Sequence, residues 1–329
     1  MSSEVATGSA RGDSERPQFI SCTAAGRGGM AFQSIHQSNP ERVEVRDETD
    51  QWVATFTVGC HTATLAGPER TFREDNGSGV VEVTNAVWVR SVPGPFAGPV
   101  DARWLELALA ANFAQVPDVL SLAMQYLKNA PTIVLGDLRI AGDASYGPLD
   151  AHGKRQEGSD FNDYLGLPWL YASDGRDPAE ASQRGCLDCS GYMRMIWGYR
   201  HQLPGSGYPD RVALSLAPRA GLSLPRRAFR QYTDGPGSIL VPDTGVQVLV
   251  EAIESSVSIG DLVFFDASED DGDRLDHVGM YIGRDSQGAH RFISSRKTVD
   301  GPTFADVGGK SVLDGAGLYA KAFRGTRRI

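Results

Sequence analysis

The chain has 329 residues, 41% apolar and 22% charged, the composition of a globular protein with a core. Its 32 basic and 41 acidic residues leave a formal charge of −9, which argues against a nucleic-acid partner or an anionic membrane surface. Cysteines occur only at 22, 60, 186 and 189, too sparse for a disulfide scaffold, and no run of 18 apolar residues could span a bilayer.

The first 17 residues are small and polar and read as disordered. They lack a basic start followed by an apolar stretch, so no leader is expected and the expected compartment is the cytoplasm. From Arg42 to Arg90, "VATFTVGCHTATL" and "GVVEVTNAVWVRSV" are rich in Val and Thr and partly alternate, which predicts strands in a β-rich N-terminal domain over 18–114. The cluster "SVPGPFAGPVD" breaks the pattern, and "DARWLELALAANFAQ" follows as a helix with Asp101 as its N-cap. A second helix, "PDVLSLAMQYLKN", starts at Pro117, and a loop-rich insert fills about 130–165.

The remaining order is a helix headed by Cys189 and reaching about residue 201, a long Pro/Gly/Arg loop, then the strand-like runs "IGDLVFFDA", "HVGMYIG" and "HRFISSR". The stretch "GLYAKAFRGTRRI" closes the chain. A helix followed by an antiparallel sheet is an α+β pattern, here in a domain over 115–329.

"RGCLDCSGYMRM" (184–195) poses the chemical question. A redox pair at Cys186 and Cys189 would need a strand–helix crossover around it, and Asp188 is an awkward neighbour for one. A zinc site would need two further ligands, which neither a second C-x-x-C nor an H-x-x-x-H provides. A nucleophile needs a thiol whose proton is readily lost, and a helix N-terminus favours that. Cys189 stands at such a start, with Tyr192, Met193, Ile196 and Trp197 forming one apolar face behind it. The candidate base is His277, which opens the strand "HVGMYIG".

The motifs "DCSGY" (188–192), "LPRRAFRQY" (224–232), "IGDLVFFDA" (259–267) and "DHVGMYIG" (276–283), in that order, resemble the NlpC-type cysteine peptidases, papain-like endopeptidases of cell-wall peptides. The resemblance covers roughly 115–329 and implies a papain-like catalytic domain. It implies that Cys189 attacks an amide carbonyl, that His277 is its base and then its acid, and that the Cys189 backbone amide helps hold the oxyanion. It implies that Asp188 and Ser190 bind a free substrate amine, that Tyr171 shapes the site, and that Cys186 is a bystander. Relatives' N-terminal domains are often SH3-like barrels, a type this sequence does not declare. The third catalytic position, usually polar and often His, aligns with Ser294. His290 is the alternative, with the same facing but about 13 Å away along the strand. The insert at 130–165 would form a lid or a wall of the cleft.

Other features carry less. In "DASEDDGDRLD" (266–276), setting Gly272 as the turn glycine of a calcium loop puts Ala267 and Val278 at ligand positions, so the pattern fails. "GRGG" (26–29) lacks the Lys and Ser/Thr of a phosphate loop, Cys60 and His61 read as structural, and the basic tail Arg324, Arg327 and Arg328 reads as surface. No cofactor or metal is expected. The expected partner is a small peptide or muropeptide, cut at a γ-D-glutamyl–diamino-acid bond on the strength of the resemblance alone. The alternatives are an acyl- or amide-transfer enzyme with the same thioester chemistry, or a non-catalytic peptide-binding module. The oligomeric state is not legible.

Overall fold

The computed structural model describes residues 18–20, 31–75, 77, 79–171, 175–202, 224–268 and 275–329. The expected disordered N-terminus (1–17), Cys22, "GRGG" and most of the acidic loop lie outside them. Six strands open the chain: β1 (Gln18–Ile20), β2 (Phe32–Gln37), β3 (Arg42–Arg46), β4 (Trp52–Thr57), β5 (Thr62–Asp75) and β6 (Val80–Ser91). They pair in sequence order, each antiparallel to the next. The alternation in β3 buries Val43 and Val45. These two share a core with Phe56, Leu65 and the apolar side of α1 (Ala102–Phe113), including Trp104, Leu105 and Leu109. Asp101 caps α1 by accepting the Trp104 N–H.

Next come α2 (Val119–Met124), the hairpin β7 (Ile133–Leu135) and β8 (Leu138–Ala141), α3 (Phe161–Leu165), the hairpin β9 (Trp169–Tyr171) and β10 (Gly175–Asp177), and α4 (Cys189–Trp197). The helix expected from Pro117 to Asn129 is shorter than its apolar pattern, because past Met124 the chain continues as turns. The helix headed by Cys189 ends at Trp197 rather than near 201, because Gly198 leaves helical geometry (φ −113°, ψ −86°).

The C-terminal elements are α5 (Ala228–Thr233), β11 (Ser238–Val241), α6 (Val250–Ser256), β12 (Leu262–Phe265), β13 (His277–Arg284), β14 (His290–Arg296), β15 (Gly301–Thr303), α7 (Leu318–Ala322) and β16 (Phe323–Arg328). Six of them form an antiparallel sheet in the order β11-β16-β12-β13-β14-β15. One face packs Leu262, Phe264, Val278, Met280, Ile282 and Ile293 against Tyr192, Met193, Ile196 and Trp197 of α4. The other packs Val263, Phe265, Tyr281 and Phe292 against Leu313, Tyr319 and Phe323.

Arg327 and Arg328 are not on the surface, as their place in a basic tail suggested. Arg328 is buried, grips Asp261 with Nε and Nη2 at 2.8 Å each, and donates from Nη1 to Thr57. Arg327 is buried against the carbonyls of Tyr232, Gly235, Pro236 and Gly237. Their place on β16, inside the sheet, makes the difference, and the alternating order of residues in the tail did not reveal it.

Candidate active site

α4 begins at Cys189 because Asp188 stops the extended chain there: its backbone is non-helical and its carboxylate accepts the Gly191 N–H at 2.7 Å. Every residue of α4 is buried, including Arg194. Gly191 is the point of closest approach, since a Cβ there would overlap the Ser159 carbonyl oxygen and crowd the Asp160 Cα. The helix therefore seats its first turn directly on residues 158–160.

His277 is the first residue of β13, opposite Phe265 of β12. The Cys189 thiol points at the Asp276 carbonyl, 3.9 Å away, and takes a hydrogen bond from the Val278 backbone N–H. The sulfur thus rests against the strand backbone on both sides of His277. The imidazole lies against the rings of Phe265 and Tyr319, with centroids at 5.7 and 5.4 Å, and its Nε2 is buried with no hydrogen-bond partner among the described residues.

Ser294 and His290 part company on β14. The Met280–Ile293 pairing, continued by one residue, sets Ser294 opposite Gly279, on the sheet face that carries His277. Its Oγ accepts a hydrogen bond from Arg296 Nε at 3.1 Å. His290 lies at the other end of the strand, opposite Arg284, with Nδ1 2.8 Å from the Tyr281 hydroxyl. Arg296 is fully buried, held by the carbonyls of Val307 and Gly309 and by Ser311, with its guanidinium 4.3 Å from the Tyr319 ring centroid.

These surroundings set the charges. Burial, followed by the nearby Arg296 cation, depresses the His277 pKa to about 3. Burial, and next the Asp188 carboxylate, lifts the Cys189 thiol well above its ordinary value. Both shifts favour the neutral thiol and the neutral imidazole, against the readier loss of the thiol proton that a helix start favours. Burial pushes Asp188 up to about 6, and the charge of Asp160 adds to it against the hydrogen bonds from Gly191 and Gly158.

Tyr171 ends β9 with its hydroxyl between Asp160 Oδ2 (2.8 Å) and Asn162 Oδ1 (2.7 Å), and the Arg226 guanidinium covers its ring at 4.3 Å. Ser190 Oγ is 2.9 Å from Asp188 Oδ1 and 2.7 Å from the Arg226 carbonyl oxygen. Cys186 is buried, and neither it nor Cys189 is in a disulfide. It sits in a short parallel bridge to Ser145, one of the contacts by which the 130–165 segment packs beside α4.

Two side chains of that segment escaped the sequence reading. Tyr146 is buried, and the charges of Cys189 and Asp188, after burial itself, oppose ionisation of its phenol. Asp160 is a buried carboxylate shared by Tyr171, Arg194 and Arg226. No motif marks either. The one local signal was the S-D-x-x-D cap of α3, in which Asp160 and Asp163 accept each other's backbone N–H groups.

A thiol at the head of a buried helix, set against the backbone of a strand that a histidine opens, is an arrangement that a cysteine nucleophile can use. Residues 169–312 match the family model of the NlpC/P60 family, whose members are generally cysteine peptidases or amidases. No curated protein and no solved structure matches the chain. Among the described residues no helix is long and apolar enough to cross a membrane.

Proposed function

We propose that the protein is a papain-like cysteine peptidase that cuts an amide bond in a cell-wall-type peptide, at a γ-D-glutamyl–diamino-acid junction. The observation that supports this most is the seat of the Cys189 sulfur, at a helix start and against the Asp276 carbonyl and Val278 amide that flank His277. In this reading Cys189 Sγ attacks the carbonyl carbon while its proton passes to the neutral imidazole of His277. The Cys189 backbone N–H, at the helix start, stabilises the oxyanion, where one such donor contributes a factor of roughly 10²–10³. His277 then protonates the departing amine, leaving a thioester. Water attacks it with His277 again as base, and the thiol is released.

Ser294 is the side chain at the third position, fixed by Arg296. Asp188 and Ser190 take the substrate's free amino group, with Tyr171 behind them. Tyr146 adds a phenol beside the nucleophile.

The test is mass spectrometry of the protein incubated with free-amine γ-glutamyl peptides, with and without an added amine. A Cys189 acyl adduct that water clears supports hydrolysis. Transfer of the acyl group to the added amine in preference to water assigns acyl transfer instead. No adduct and no turnover with any peptide favours a binding module.

A further inference from the structure

A base that moves a proton must be held in one orientation, yet His277 Nε2 is buried with no hydrogen-bond partner among the described residues. Ser294 does not supply one, and its Oγ accepts from Arg296 Nε at 3.1 Å. Arg296 in turn spends its other donors on the Val307 and Gly309 carbonyls and the Ser311 hydroxyl.

What touches the imidazole is two rings. Phe265, its partner across the β12–β13 pairing, has its centroid 5.7 Å away, and Tyr319 of α7 has its centroid 5.4 Å away. The topology brings Tyr319 there. α7 runs directly into β16, where Phe323 pairs with Phe265, so the tyrosine lands on the row of the sheet that Phe265 and His277 share. Its ring is itself confined. It meets Phe265 and Phe292 edge-on at 5.5 and 5.4 Å, and the Arg296 guanidinium lies over it at 4.3 Å. The Gly309 backbone is so close that a Cβ there would come within 3.2 Å of Tyr319 Cε2. Tyr319 is 6% exposed and lies beyond the family-matched residues 169–312.

We propose that Tyr319 is the positioning residue of the base, its ring holding the His277 imidazole by contact where a hydrogen-bonding third residue would otherwise orient it. This rests on the reading of His277 as the base. The χ2 torsion of a histidine is broad, so with no hydrogen bond at Nε2 the packing around the ring must fix it. A flat ring that is itself immobile does this, and cation–π attraction to Arg296 keeps the Tyr319 ring in place. Arg296 thus acts on the base through Tyr319. The phenol hydroxyl has no part in the contact, so phenylalanine should serve, and methionine, of similar reach but flexible, should not.

The experiment compares the wild type with Tyr319→Phe, Tyr319→Met and His277→Ala, with a free-amine γ-glutamyl peptide as the probe. Proton–carbon NMR of histidine-labelled protein follows the imidazole, whose signal is assigned by its absence in His277→Ala, and thermal unfolding checks each fold. The His277 signal is expected to be single and narrow in the wild type and Tyr319→Phe, and doubled or broadened in Tyr319→Met. In Tyr319→Met kcat should fall about tenfold or more with KM within about twofold, because a misplaced base slows chemistry rather than binding, and Tyr319→Phe should recover most of that loss. A folded Tyr319→Met protein with the wild-type kcat and a single His277 signal overturns the proposal. So does an equal loss in Tyr319→Phe and Tyr319→Met, which assigns the effect to the hydroxyl. If Tyr319→Met does not fold, Tyr319→Phe decides alone: a loss of about tenfold in kcat or a doubled signal overturns the proposal, and the absence of both supports it. Wild-type turnover in His277→Ala removes the reading of His277 as the base, and this proposal with it.

Discussion

The charges on single residues make the sharpest predictions. On the proposed function, the acid limb of activity on a free-amine peptide is expected from Asp188, which burial raises to about 6, and not from His277, which burial holds down to about 3. As pH rises through about 6, KM for that peptide should fall, and Asp188→Asn should flatten the curve. A limb that persists in that variant would put the titrating group elsewhere. The same two groups pull stability in opposite directions. The folded pKa of His277 lies below its unfolded value, so its contribution is complete above about 6.5 and is lost as pH falls towards 3. The folded pKa of Asp188 lies above its unfolded value, so its contribution is complete below 3.8 and is lost as pH rises through about 6. Replacing Arg296 with Met should raise the His277 pKa from about 3, an effect that NMR titration of the imidazole reads directly. Cys189 and His277 were picked out as candidates because motif order marks them. Tyr146 and Asp160 were not, because the chain that carries them reaches the site by packing rather than by spacing.

At the scale of elements, the fit between α4 and residues 158–160 decides where Cys189 sits. Gly191→Ala should destabilise the protein by about 1–3 kcal/mol, because the added methyl meets backbone rather than a flexible side chain. Thermal unfolding measures this, and a neutral result would mean that residues 158–160 can yield. Strands β12 and β13 were readable because they carry uninterrupted apolar runs, and α1 because Asp101 caps it. The length of α2 was not, because its apolar pattern runs on past Met124 into turns. The 130–165 segment read as an insert, since glycines and charges dominate it. In the fold its buried Ser159, Asp160 and Phe161 make it part of the site.

At the scale of the molecule, the N-terminal sheet and the C-terminal sheet are joined at several points. The Ile329 carbonyl accepts both the backbone N–H and the hydroxyl of Thr62, each at 2.6 Å, Arg328 reaches Thr57, and Asn85 donates to the Ile282 carbonyl. Glu74, at the far end of β5, accepts the Thr303 hydroxyl and the N–H groups of Phe304 and Ala305. Val81, Val83 and Val89 of β6 belong to the same core as α4. The two sheets should therefore unfold in one transition. Arg328→Met, which leaves Asp261 buried without its partner, should lower the stability of both together by about 3–5 kcal/mol. Separate transitions for the two halves, followed by tryptophan fluorescence and calorimetry, would contradict this. No sequence pattern announced the joint, since its contacts link residues more than 190 positions apart.

The central claim is that Cys189 carries the acyl group and His277 moves its proton. The most direct measurement is peptide mapping by mass spectrometry after rapid quenching with a free-amine γ-glutamyl peptide, on the wild type and on Cys186→Ala, Cys189→Ala and His277→Ala. The account predicts an acyl adduct on Cys189 in the wild type and in Cys186→Ala, none in Cys189→Ala, and formation slowed by about 100-fold or more in His277→Ala. An adduct on Cys186, or turnover that survives Cys189→Ala, would contradict it.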